Sequence, residues 1–138
     1  MPTRKFPSHL ENLKDIGDFV VKQAKLAGFD NGEIYAVQLA VDEAATNIIE
    51  HAYEGKEVGE IELQCEVLSD GIKITLRDQG EPFDPDSLPK PALNVPLDQL
   101  KPRGLGVFLI RQMMDEVDYK FSPQNGNVLT MIKRKKDD

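Results

Sequence analysis

A chain of 138 residues suits one compact domain, residues 1–138, and its 40% hydrophobic and 30% charged residues are an ordinary globular balance with apolar material for one core. Lys plus Arg number 17 against 24 Asp plus Glu, a formal charge of −7 that argues against direct nucleic-acid binding and against an anionic membrane surface. The single cysteine, Cys65, excludes an internal disulfide, two histidines argue against zinc, and no apolar stretch approaches the ~20 residues that span a bilayer.

The opening MPTRKFPSHL lacks the apolar centre of a signal peptide, so the expected compartment is the cytoplasm. Arg4 to Phe6 suits a short edge strand. Ser8 and Glu11 have capping-box spacing, which predicts a first helix from near His9, with Leu13, Ile16, Phe19, Val20 and Ala24 inward and Gly28 as its stop. Asp30 and Glu33 repeat that signal for a longer helix over residues 31–53, ended by Gly55. Its core stripe is Ile34, Val37, Val41, Ala44, Ile48 and Ala52.

Two strands follow. Ile61, Leu63, Cys65 and Val67 alternate with polar residues, as do Ile72, Ile74 and Leu76, with Ser69-Asp70-Gly71 as the turn. The second strand runs into Asp78-Gln79-Gly80. The stretch 80–103 then holds six of the nine prolines. A connection longer than about 15 residues inside a compact domain suggests a lid over a ligand, or else an unstructured insertion. A third helix is expected from Gly104 to about residue 115, then a closing hairpin of residues 117–121 and 128–132. This order predicts an α+β fold, a two-layer α/β sandwich whose mostly antiparallel mixed sheet is covered on one face by helices.

Three short segments carry chemistry. Glu43 and Asn47 sit four apart on one helix, so a carboxylate and an amide share a face. An amide oxygen suits magnesium, which takes oxygen ligands and uses few protein groups. A carboxylate one turn away suits proton removal from an attacking hydroxyl. Taken alone, the pair is two solvated polar side chains. Asp78 ends a strand beside Gly80, where a carboxylate can accept from the adenine amino group and a glycine lets a flat base approach the backbone. Plain turn chemistry uses the same two residues. Gly104-Leu105-Gly106 opens a helix, whose free amides and positive dipole end suit phosphate, and Arg103 adds a charged donor. Close packing explains two glycines as well. Cys65, Met113 and Met114 read as core filler, and His51 as a helix-edge residue.

In this order the segments resemble the Bergerat-fold ATPase and kinase superfamily, with EAATN similar to its N box, DQG to its first glycine box and RGLG to its second. VDEAATNIIEHAY, DQGEPFDP and GLGVFLIRQMMDEVDY narrow the resemblance to the anti-sigma-factor serine/threonine kinase family, over nearly the whole chain. The resemblance implies ATP and Mg2+ as ligands. It implies Glu43 as general base, Asn47 as magnesium ligand and Asp78 as adenine-reading carboxylate with Gly80 beside it. It also implies Gly104, Leu105 and Gly106 at the phosphates, with Arg103 near the γ-phosphate. Such proteins typically form homodimers, sequester a sigma factor and phosphorylate a STAS-domain anti-anti-sigma protein. The alternative is a non-catalytic, nucleotide-responsive binding module, or a switch that only hydrolyses ATP.

Two departures from the family pattern stand out. Pro82 occupies the place of a second glycine in the first glycine box. Gly126-Asn127-Val128 stands where Gly-Thr usually precedes the last strand, so Asn127 either supplies the polar contact or lowers nucleotide affinity. No dimerisation helices with a phosphoacceptor histidine precede the domain, which argues against a complete histidine kinase.

Overall fold

The computed structural model describes residues 2–53, 59–82 and 102–136, with the course of the backbone alone at 102–107. Gly55 and most of the proline-rich connection read as a lid lie outside the described residues. In chain order the elements are β1 (Thr3–Pro7), α1 (Leu13–Leu26), α2 (Asn31–Asn47), β2 (Glu60–Leu68), β3 (Gly71–Asp78), α3 (Pro102–Met113), β4 (Glu116–Ser122) and β5 (Gly126–Arg134). The strands form one sheet in the order β1-β2-β3-β5-β4. All four pairings are antiparallel, so the described sheet is antiparallel throughout rather than mixed.

Register follows from alternation. Leu63 lies opposite Leu76, Cys65 opposite Ile74 and Ile74 opposite Met131. The apolar sets of three strands therefore meet on one face, and a one-residue slip would expose all of them. Ile16, Val20 and Ala24 of α1 and Val37, Val41 and Ala44 of α2 join that face in a single buried core. Full burial of each large aliphatic side chain contributes roughly 1.5–3 kcal/mol.

Local signals explain most element ends. Asp30 accepts from the Glu33 amide at 2.7 Å and Glu33 accepts from the Asp30 amide at 3.0 Å, the reciprocal cap expected for α2. Gly28 takes φ +86 just past α1, a conformation that suits glycine. Pro102 begins α3, where its missing N–H costs nothing. The Lys133 ammonium donates to the Met113 carbonyl at 2.9 Å, closing the other end of α3.

The first helix departs from expectation. The Ser8–Glu11 cap does not form, because pairing of β1 with β2 keeps the chain extended through Pro7. Ser8 is drawn inward to 1% exposure, its amide donating to Gly59 at 3.1 Å. Its hydroxyl has no partner among the described residues. A 3-10 turn, Leu10–Asn12, leads into α1 instead. Val67, expected inward, is 46% exposed, since β2 there runs past the end of β1 and loses its outer neighbour.

The second helix also differs. The α-helical pattern stops at Asn47 and the chain continues as a π turn, Ile48–Ala52, closed by the Tyr53 amide on the Ile48 carbonyl at 3.1 Å. Single π turns inside helices are often found at functional sites.

Candidate active site

The π turn, the end of β3 and the β4–β5 hairpin enclose a pocket roofed by α3. Ala44, Ile48, Ile110, Val117 and Leu129 make its walls apolar. Asn47, Asp78, Arg111, Tyr119 and Asn127 bring polar groups to it. Apolar walls with a few fixed polar atoms are the usual lining of a small-molecule site.

Asp78 reaches the pocket because it continues the inward set Ile74 and Leu76 by one more step of the strand. It lies opposite Asn127 in register, and the two residues are 5% and 3% exposed. Gly126 makes this possible. It takes φ +72, and a Cβ there would run into the Asp78 carbonyl oxygen.

Among the described residues, the Asp78 carboxylate is held through one oxygen. Its Oδ1 accepts from Asn127 Nδ2 at 2.7 Å and from the Gly80 amide at 2.9 Å. Burial raises the Asp78 pKa above the ordinary aspartate value, and these two hydrogen bonds oppose that rise by favouring the charged form.

Asn47 and Glu43 are placed by α2, one turn apart. Asn47 lines the pocket half-buried, and its side chain makes no hydrogen bond among the described residues. An uncommitted amide oxygen suits a hard cation that draws its remaining ligands from phosphate and water. Glu43 is half-buried and does not line the pocket. Burial raises its pKa, and the like charges of Asp42 and Glu50 raise it further. A carboxylate so raised is a better proton acceptor than an ordinary glutamate.

Gly80 sits beside Asp78 as expected, but a different neighbour demands the glycine. A Cβ at Gly80 would collide with the carbonyl of Ala52, the last residue of the π turn. The space a Cβ at Gly80 would need is thus taken by protein backbone. Tyr53 secures the same junction, accepting from the Gln79 amide at 2.9 Å and donating to the Glu60 carbonyl at 2.9 Å.

The sequence places Gly104 and Gly106 at the opening of α3. The helix begins at Pro102, so both lie within its first turns. Near that end the amides of Arg103 and Gly104 lack acceptors inside the helix. The side chains of Arg103 and Leu105 lie outside the described residues.

The structure therefore brings Asn47 and Asp78 to one pocket, with Gly80 behind Asp78 and Glu43 one turn along α2. No motif in the sequence singles out Tyr119, although its inward parity with Val117 in a predicted strand marks it. Asn127 has the same parity as Leu129 and Met131, which places it on the core face.

Residues 6–133 match the family described as histidine kinase-like ATPase domain. The chain is 42% identical over 114 residues to the serine-protein kinase RsbW of Staphylococcus epidermidis, covering 78% of this chain and 69% of that protein. It is 35% identical over 114 residues to the serine-protein kinase RsbW of Oceanobacillus iheyensis, covering 80% and 71%. Among solved structures it is similar to the histidine kinase domain from the Erythrobacter litoralis EL346 blue-light activated histidine kinase. That likeness has a TM-score of 0.55 at 18% identity, covers 94% of this chain and 61% of that chain, and is a likeness of fold.

Proposed function

The chain belongs to the histidine kinase-like ATPase domain family and is an ATP-dependent serine kinase of the anti-sigma-factor type, and from that premise we propose that it phosphorylates a STAS-domain antagonist on a serine or threonine hydroxyl. The observation that carries this reading is the shared pocket of Asp78 and Asn47, with Glu43 one turn away on the same helix.

The roles follow from position and charge. Asp78 accepts from the adenine amino group while the apolar walls cover the ring faces. Asn47 is the group of this chain that would hold Mg2+, which when bound neutralises charge on the phosphate oxygens. Arg103, Gly104, Leu105 and Gly106 bind the phosphates at the start of α3. Glu43 takes the proton from the acceptor hydroxyl as its oxygen bonds to the γ-phosphorus and the bond to ADP breaks. The products are a phosphoester, ADP and a proton held on the Glu43 carboxyl, later released to water. Positioning and charge neutralisation carry most of such a transfer.

The same reading makes the protein a homodimer that sequesters a sigma factor in the cytoplasm and releases it according to the phosphorylation of the antagonist. None of the described helices is long and apolar enough to cross a membrane. Transfer of γ-phosphate to an acid-stable serine or threonine ester on a STAS-domain acceptor tests the reading. A second reading, a module that holds nucleotide without transferring phosphate, draws on one observation: Glu43 stands outside the pocket lining.

A further inference from the structure

We propose that Asn127, oriented by Tyr119, is a positioning residue that sets the preference of the pocket for a 6-amino purine over a 6-keto purine. The inference rests on the nucleotide reading given above and concerns how Asp78 is made selective.

The Asn127 amide has one possible orientation. Its Nδ2 donates to Asp78 Oδ1 at 2.7 Å and lies 3.2 Å from the Gly80 carbonyl and 3.1 Å from the Glu81 carbonyl. Its Oδ1 accepts from the Tyr119 hydroxyl at 2.7 Å. A flipped amide would set an oxygen against three acceptors, so the network assigns the atoms. Asn127 is 3% exposed, so this arrangement has no competition from bulk water.

The consequence falls on Asp78. With Asn127 Nδ2 and the Gly80 amide both on Oδ1, Oδ2 has no partner among the described residues. Oδ2 is the atom left to a ligand, and an ionised carboxylate only accepts. Adenine presents an amino donor at its 6-position, whereas guanine and hypoxanthine present a keto oxygen. Two acceptors facing each other in a dry pocket leave both unpaired, the strongest basis for rejecting an analogue.

Removing the Asn127 amide frees Oδ1 and withdraws a charge-assisted bond from a buried carboxylate. Burial already pushes Asp78 toward its protonated form, and the Asn127 bond is the larger of the two hydrogen bonds opposing that. A protonated Asp78 can donate to a keto oxygen, and discrimination then falls.

The experiment measures Kd for ATP and GTP with magnesium on the full chain, on Asn127→Leu and on Tyr119→Phe, with circular dichroism as a folding check. The expected natural ratio favours ATP by about a hundredfold or more. Asn127→Leu should lower that ratio by roughly tenfold or more. Tyr119→Phe, which keeps the amide but loosens it, should lower it severalfold. Should Asn127→Leu fail to fold, Tyr119→Phe alone decides. Equal losses for both nucleotides, leaving the ratio unchanged, would overturn the inference and mark Asn127 as structural. A natural chain that binds ATP and GTP alike would overturn the inference and leave the nucleotide site standing. A natural chain that binds neither would overturn both.

Discussion

Gly80 lies directly against Ala52: a Cβ on Gly80 would stand 2.9 Å from the Ala52 Cβ and closer still to its carbonyl. The Glu81 amide donates to the same carbonyl at 2.7 Å. The end of β3 is thereby seated on the π turn that follows Asn47. This contact holds Asp78 and Asn47 in one frame, although they are distant in sequence.

Gly80→Ala should therefore cost about 1–3 kcal/mol, the usual range for forcing a methyl into filled space. Chemical denaturation would read that loss. ATP affinity should fall with it, because the shifted loop carries the amide that holds Asp78. A stability equal to that of the natural chain would remove this contact from the account.

Asp78 sets a pH dependence whose sign is fixed. Its folded pKa is raised, so the native state binds a proton more readily than the unfolded state. Stability then falls as pH rises through the window from the ordinary aspartate value to the raised one, and the buried charge remains unfavourable above it. Asp78→Asn should flatten that part of the profile and be no less stable at pH 7, while ATP binding is lost. Thermal melts across pH 3 to 8, with and without ATP, would check both halves.

Cys65 is fully buried and its thiol pKa is pushed up to about 12 by desolvation. The thiolate is the reactive form, so this cysteine should resist thiol reagents in the native protein and react only on unfolding. Rapid labelling of the folded chain would contradict the packing of β2 against the helices.

Much of this arrangement is written locally. The stripe from Ile34 to Ala52 and the alternation through Ile74 and Leu76 place the core, and one further strand step delivers Asp78. Other features depend on distant partners. Ser8 has the chemistry of a cap, but the pairing of Phe6 with Ile61 keeps the chain extended and takes Ser8 inward. The π turn is hidden because Ile48, Ile49 and Ala52 fit a buried face at either helical period over five residues. The reason for Gly80 appears only when Ala52 is brought beside it. Asn127 shows as a departure from the family pattern, yet its bond to Asp78 requires the β3–β5 register.

Glu43 should show its surroundings in the pH profile of phosphotransfer. Burial first, then Asp42 and Glu50, raise its pKa above the ordinary glutamate value. The acidic limb of kcat/KM should therefore lie above that value, and Asp42→Asn, which removes a like charge, should move it to lower pH. An acidic limb unmoved by Asp42→Asn would separate the limb from Glu43.

The central claim is phosphotransfer by Glu43 from nucleotide held at Asp78 and Asn47. Its most direct test is single-turnover transfer of labelled γ-phosphate to a cognate STAS-domain protein by the natural chain and by Glu43→Gln, with ATP affinity measured on both. The account predicts a serine or threonine phosphoester from the natural chain. It predicts a rate about 10²–10⁴ lower in the variant with ATP affinity nearly unchanged. Equal rates from both proteins, or tight ATP binding with no transfer by the natural chain to any STAS acceptor, would contradict it.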